Sequence, residues 1–194
     1  HLFNFHGVMY VRPTGQAIQS DGDAAPEEVA FAEAEEVAPP VVAVFDGVPN
    51  VQHAALRGRV LLDDAFDLVR LYQPGERRHG SAMASLVIHG EQIDGDSALS
   101  KQIYHVPILQ PDEVARGFGH RREHVPETAF IEDRIERAVR RMLEGDGDLG
   151  PQAPGVRVVN LSIGDPDRPF VHSPSPLARL LDYLSWRYKV LFCV

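Results

Sequence analysis

Four runs of apolar residues stand out along the chain, at residues 41–45, 103–109, 156–162 and 190–194. They are nearly continuous and do not alternate with polar positions. Such runs are typical of strands that are buried on both faces of a parallel sheet. The pattern therefore predicts four strands of one parallel sheet.

Helical patterns fall between these runs, at about residues 79–89, 128–143 and 175–188, and Gly90 and Gly145 end the first two. Alternation of strand and helix predicts an α/β fold of three layers, with a mostly parallel sheet and helices on both faces. In such folds the binding crevice lies at the carboxyl ends of the strands. The fold is expected to be incomplete at its carboxyl end.

The domain is expected to span residues 41–194. Residues 1–40 are interpreted as a lead-in segment that precedes the domain and contains one short helix at about 26–37. Pro39 and Pro40 separate this segment from the first strand. Residues 90–102 and 109–126 are polar and Gly-rich, which predicts surface loops.

Asp46 directly follows the first apolar run, so its carboxylate is expected at the crevice end of the sheet. The alternative is an aspartate that merely caps the following turn. His79 opens the first helix, where Gly80 leaves room for a neighbouring chain segment. The helix dipole disfavours a cation there, and a nearby carboxylate would offset this and orient the ring.

Three motifs in this order resemble the subtilase family of serine peptidases. Residues 42–46 (VAVFD) are similar to the family's aspartate strand, with His53 and Leu56 at its later His and Leu positions. Residues 79–84 (HGSAMA) resemble the histidine motif His-Gly-Thr-x-Val-Ala. Residues 158–164 (VVNLSIG) resemble the strand that ends in Ser-x-Gly and lines the substrate groove.

The resemblance implies an Asp-His-Ser triad in which Asp46 holds His79 and His79 transfers the proton of a serine. It also implies that a peptide or protein substrate pairs, main chain to main chain, with Leu161, Ser162, Ile163 and Gly164. Residues 183–194 correspond to the helix and strand that precede the family's oxyanion asparagine.

Two departures from the family pattern stand out. Gly47 and Val48 follow the aspartate where the family has Ser or Thr and then Gly, which predicts a locally different turn. No serine stands in the Gly-Thr-Ser-x-Ala setting of the nucleophile. We expect the chain to be the amino-terminal part of a longer peptidase, whose remainder it needs as a partner and without which it is inactive.

Two other functions compete with this hypothesis. Residues 120–124 (HRREH) match the H-x-x-E-H pattern of zinc peptidases, in which His120 and His124 would bind zinc and Glu123 would act as base. Nearby glycines and Pro126 favour a solvated loop over the long helix that this pattern needs. The second alternative is a non-catalytic module that binds peptides on the same fold.

Composition narrows the range of partners. A net charge of −9 disfavours nucleic acid, and the apolar runs are too short to cross a membrane. The basic residues of segment 131–143 are expected on the solvent face of a packed helix. Cys193 is the single cysteine, which is consistent with a cytoplasmic protein. No cofactor or metal is expected, because the aspartates of residues 94–96 and 146–148 do not form a complete calcium ligand set.

Overall fold

A computed structural model describes residues 38–90, 97–117, 120–163 and 174–194. Seven strands and three α-helices are formed there, in the order β1 (Ala38–Asp46), β2 (Val60–Leu62), α1 (Arg78–His89), β3 (Lys101–Pro107), β4 (Gln110–Gly117), β5 (His120–His124), α2 (Ile131–Leu143), β6 (Val158–Asn160), α3 (Pro176–Tyr188) and β7 (Leu191–Cys193). Short 3-10 helices at Val69–Leu71 and Pro74–Glu76 precede α1. The predicted lead-in helix at 26–37 lies outside the described residues.

Five strands form one sheet in the order β2-β3-β1-β6-β7, and all of their pairings are parallel. The predicted parallel sheet and its α/β class are therefore confirmed. The three-residue edge strand β2 was not predicted, because three residues are too few to show a hydrophobic pattern.

Helices cover both faces of the sheet, as the alternation of elements predicted. On one face, α1 packs on the sheet through a cluster formed by Val44, Ala55, Leu56, Ala84, Ile88 and Ile103. On the other face lies the larger cluster, in which α2 and α3 supply Ile135, Ala138, Val139, Met142, Leu181 and Leu184. The apolar side of α2 is thus buried in the core, as expected for a packed helix with a charged outer face.

The helix boundaries follow local signals in the sequence. Helix α3 begins at Pro176, and the side chain of Ser175 accepts a hydrogen bond from the Ala178 amide at 3.1 Å, as an N-cap should. Helix α1 ends at Gly90, whose φ of 65° is readily adopted by glycine. Both ends agree with the predicted boundaries within a residue.

The start of β1 and the segment after β3 both differ from the prediction. Strand β1 begins at Ala38 and includes Pro39 and Pro40, and its register with β3 shifts between Ala38 and Val42. Proline has no amide proton for the ladder, so an irregular start is the expected result of including it. The segment predicted as a loop at 109–126 is instead the antiparallel hairpin β4–β5.

An ion-pair network ties α2 to the edge of the sheet. Arg141 Nε donates to Asp63 Oδ2 at 2.7 Å, and the hydroxyl of Tyr104 donates to the same oxygen. The side chains of Arg141 and Asp63 are 17% and 12% exposed, so water replaces neither partner easily. We expect Arg141→Met to lower the free energy of unfolding by about 1–3 kcal/mol, since it leaves the Asp63 carboxylate short of a charged donor.

Arg140→Met is the matched control for this prediction, because Arg140 is 59% exposed and its ion pair within the described residues is with Glu144, four positions later. It should change stability by less than about 0.5 kcal/mol. Urea unfolding followed by circular dichroism measures both variants. Equal loss in the two would show that the buried network contributes nothing beyond a surface pair.

Candidate functional site

Asp46 lies where the topology of the sheet opens a crevice. It ends β1, and its side chain is fully buried. The chain leaves β1 toward the β2 edge and leaves β6 toward the opposite edge, at β7. The carboxyl ends of these neighbouring strands therefore form a topological switch point, where open α/β sheets bind ligands.

His79 contacts Asp46 directly. The distance between His79 Nδ1 and Asp46 Oδ1 is 2.6 Å, and the Gly47 amide donates to the same oxygen at 2.6 Å. The His79 side chain is 49% exposed, whereas Asp46 is inaccessible. With Nδ1 bound to the carboxylate, Nε2 is the ring nitrogen left for proton transfer. The structure thus brings together the two predicted catalytic residues, 33 positions apart in the chain.

Gly80 and Ser81, which follow His79 in α1, hold the start of this helix against the turn after β1. A Cβ atom on Gly80 would lie 2.4 Å from the Gly47 carbonyl oxygen, so only glycine lets the helix approach the turn this closely. The Ser81 hydroxyl accepts a hydrogen bond from the Asn50 amide at 2.8 Å and donates to the Arg77 carbonyl oxygen. Three consecutive helix residues therefore contact the end of β1 or the turn after it, and the close approach at Gly80 confirms its predicted role.

The electrostatics of the pair favour a charged imidazole. The hydrogen bond to Asp46 raises the pKa of His79 above its usual value near 6.5, and it outweighs the opposing effect of partial burial. The negative charges of Asp46 and Glu123 raise this pKa further. Within the described part of the chain, Asp46 Oδ2 is buried and has no hydrogen-bond partner. A buried, partly unsatisfied carboxylate is destabilising for a fold and is commonly kept for chemistry.

His105 of β3 stabilises the turn after Asp46 by a hydrogen bond. It is paired with Val44 in the β1–β3 register, is fully buried, and donates from Nε2 to the Gly47 carbonyl oxygen at 2.8 Å. Burial lowers the pKa of His105, so its ring is neutral at pH 7. A neutral ring in this position holds the turn without adding a charge beside the carboxylate.

Asp46, His79 and Glu123 could each offer one ligand atom to a metal ion, and these atoms lie within 4.8 Å of one another. A zinc ion with bonds of about 2.0–2.1 Å would hold its tetrahedral ligands about 3.3 Å apart. The 2.6 Å separation of Nδ1 and Oδ1 is shorter and is that of a charge-assisted hydrogen bond. The pair is arranged to share a proton.

The predicted substrate segment begins beside Asp46, at the end of β6. That strand ends at Asn160, two residues earlier than the apolar pattern predicted. The Ile163 amide donates to the Leu161 carbonyl oxygen at 2.8 Å, and Ser162 Oγ donates to Asn160 Oδ1 at 2.8 Å. Gly164 lies outside the described residues. Peptide binding by Leu161, Ser162, Ile163 and Gly164 stays a prediction.

The H-x-x-E-H residues do not form a helix. His120–His124 is strand β5, in which Glu123 and His124, as consecutive residues, lie on opposite strand faces. His124 Nδ1 is 3.2 Å from the Gln110 carbonyl oxygen of the paired strand. The arrangement that the zinc alternative needs, two histidines on one helical face with the glutamate beside them, is therefore absent from the described β5 strand. The solvated loop expected in its place was also wrong.

Glu123 and Tyr72 are site residues that the sequence pattern did not reveal. Glu123 entered only as part of the zinc motif, and Tyr72 precedes α1 in a segment without a distinct pattern. The available signal was Gly47, because a glycine after the aspartate leaves room for another group. Nothing in the spacing indicates which group that is.

None of the helices in the described part of the chain is both long and apolar enough to span a membrane. The chain matches no protein-family model, no curated protein and no solved structure. The candidate site is therefore defined by its own geometry: a buried carboxylate at a topological switch point, bonded to a half-exposed histidine at a helix start.

Proposed function

We propose that the chain is the amino-terminal part of the catalytic domain of a subtilisin-like serine endopeptidase. Asp46 and His79 are two members of its triad, and the parent protein supplies the nucleophilic serine and the oxyanion asparagine. The substrate is a peptide or protein. The single cysteine supports an intracellular location, since one thiol forms no internal disulfide.

The observation that carries the proposal is the 2.6 Å contact between His79 Nδ1 and Asp46 Oδ1. In a Ser-His-Asp arrangement the aspartate is buried, accepts from Nδ1 and leaves Nε2 to take the proton of the serine. The histidine must also be reachable by substrate. A fully buried Asp46 and a half-exposed His79 meet both requirements.

The chemistry follows from this geometry. Nε2 of His79 accepts the serine proton as the serine oxygen attacks the peptide carbonyl, and the imidazolium that forms is stabilised by Asp46. The same proton then passes to the departing amine. The Gly47 amide and the buried position keep the carboxylate from rotating during this cycle.

The proposal is tested by treating the full-length parent protein with a fluorophosphonate, which reacts with an activated serine. We expect one serine to be labelled, and we expect His79→Ala to reduce the labelling rate by several orders of magnitude, in keeping with loss of a general base. The labelled residue is identified by mass spectrometry.

His89→Gln serves as the control, because His89 lies on the same helix and Nε2 of its ring is 2.8 Å from the Ala55 carbonyl oxygen, away from Asp46. It should be labelled like the unaltered protein. Labelling that is unchanged in His79→Ala would contradict the assigned general base. Absence of labelling together with peptide binding would favour the non-catalytic module.

A further inference from the structure

The hairpin β4–β5 is anchored on the segment that precedes α1. Arg121 of β5 donates from Nε to Glu76 Oε1 at 2.7 Å and from Nη2 to Glu76 Oε2 at 2.6 Å, a bidentate pair. Its Nη2 also donates to the Leu71 carbonyl oxygen at 2.8 Å. Glu76 is buried, and the hydrogen bonds from Arg121 lower its pKa to about 2. Paired charges of this geometry hold the hairpin in one position.

Glu123 follows two positions later on the same strand, so it shares a strand face with Arg121. The hydroxyl of Tyr72 donates to Glu123 Oε1 at 2.6 Å and lies 3.0 Å from the Leu109 carbonyl oxygen. Tyr72 itself is 6% exposed and packs with Val48, directly after the turn at Asp46. The hydrogen bond from Tyr72 thereby holds the Glu123 carboxylate beside the turn at Asp46.

Gly47 provides the space that Glu123 occupies. A Cβ atom at position 47 would lie 1.8 Å from Glu123 Oε1 and 3.0 Å from the Tyr72 hydroxyl. A larger side chain at position 47 would displace this carboxylate. Gly47 stands where the family's aspartate motif has Ser or Thr. Its lack of a side chain thus makes room for the carboxylate that the hairpin carries.

We propose that Glu123 is a positioning residue of the Asp46–His79 pair, a second carboxylate that the hairpin delivers to the site and Tyr72 fixes there. The inference rests on the proposed peptidase function, in which His79 becomes an imidazolium. That cation then faces the charges of two carboxylates, one bonded to Nδ1 and one acting through space.

The surroundings of His79 contain the following titratable and charged groups: Asp46 of β1, Glu123 of β5, Tyr72 of the preceding segment, His105 of β3, and Arg77 and Arg78 at the start of α1. Burial raises the pKa of Tyr72 and lowers the pKa of His105, so both are neutral at pH 7. Asp46 and Glu123 are the groups whose charges raise the pKa of His79.

The test is an NMR titration of the His79 ring, in which the unaltered chain is compared with the variant Glu123→Gln. Glutamine keeps the size of the side chain and can still accept from Tyr72, so the substitution removes the charge while this hydrogen bond is kept. We expect the His79 midpoint to fall in Glu123→Gln. Glu127→Gln, an exposed position in the turn after β5, should leave it unchanged.

A second variant, Glu123→Asp, separates charge from structure. It restores the carboxylate on a shorter side chain, so its midpoint should lie nearer to that of the unaltered chain than Glu123→Gln does. An unchanged midpoint in Glu123→Gln, or equal shifts in the two variants, would overturn the assignment. The amide spectrum of each variant confirms that the fold is intact.

In the parent peptidase, Glu123→Gln should move the acid limb of kcat/KM to lower pH, because a base of lower pKa is neutral at lower pH. It should also lower the plateau value of kcat more than it changes KM, since the imidazolium forms only during the reaction. The titration needs no nucleophile. A parent protein without fluorophosphonate labelling refutes the peptidase, whereas an unchanged titration refutes the role of Glu123.

Discussion

On the proposed function, Asp46→Asn should lower kcat of the parent protein by roughly 10⁴-fold with little change in KM, the loss that the equivalent change causes in Ser-His-Asp enzymes. If the amide oxygen faces His79, the imidazolium loses the charge that stabilises it and a buried NH₂ group is left beside the turn. If the NH₂ group faces His79, it opposes both the ring and the Gly47 amide. Either orientation disables the base.

The same substitution has a consequence that can be measured in this chain. Because the bond to Asp46 is the largest cause of the raised His79 pKa, the His79 midpoint should fall in Asp46→Asn. A raised folded-state pKa stabilises the fold below pH of about 6.5, and this contribution is lost as the pH rises through the folded-state value. The variant should therefore show a weaker dependence of stability on pH across that window, and solvent screening at the half-exposed ring keeps the difference small.

Asp67→Asn is the matched control for Asp46→Asn. Asp67 is exposed, pairs with Arg70 on the surface, and has a φ of 55°, a conformation that asparagine also tolerates. Both kcat and the His79 titration should be unaffected. A similar kcat loss in the two variants would show that replacing an aspartate by asparagine lowers kcat regardless of its position. It would remove the support for Asp46 as the triad aspartate.

Gly80→Ala is the second change with a large expected effect. Its Cβ would lie 2.4 Å from the Gly47 carbonyl oxygen and 2.8 Å from the Gly47 carbonyl carbon, both of which belong to the backbone. Helix α1 must then move away from the turn. We expect a loss of about 1–3 kcal/mol in the free energy of unfolding, even though alanine favours helices by about 1 kcal/mol.

The displacement should also act on the site, because His79 is the adjacent residue. A misplacement of about 1 Å in a reacting group lowers the rate by roughly 10²-fold, so kcat of the parent should fall by a similar factor. Gly75→Ala is the control, since a Cβ there meets nothing within 4 Å. Urea unfolding and kcat are measured for both. A Gly80→Ala chain with unaltered stability and an unaltered His79 titration would show that the close approach is unnecessary.

The parallel sheet and its helices could be read from the sequence because burial on both faces leaves long apolar runs, as at 41–45 and 103–109. The pairing of Asp46 with His79 could also be anticipated, since a strand end and a helix start in such a fold point to the same edge. The local pattern was sufficient for the sheet, whereas the pairing also rested on the resemblance of residues 42–46 and 79–84 to two family motifs.

The hairpin and its carboxylate could not be anticipated. Arg121 and Glu123 belong to a polar strand that is stabilised by contacts with Glu76 and Tyr72, about 50 residues earlier in the chain. Such a strand carries no apolar alternation, so its sequence is indistinguishable from that of a solvated loop. Tertiary contacts, not local propensity, decide its structure.

The contacts of His79, Gly80 and Ser81 with the segment Asp46–Asn50 have a thermodynamic consequence for the site. Each contact is made by a different kind of group, a histidine ring, a bare backbone and a hydroxyl, and all three belong to the folded chain. The entropy lost in aligning the histidine with its carboxylate is therefore lost when the chain folds, before any substrate arrives. The site is preorganised, and binding energy remains free for the substrate itself.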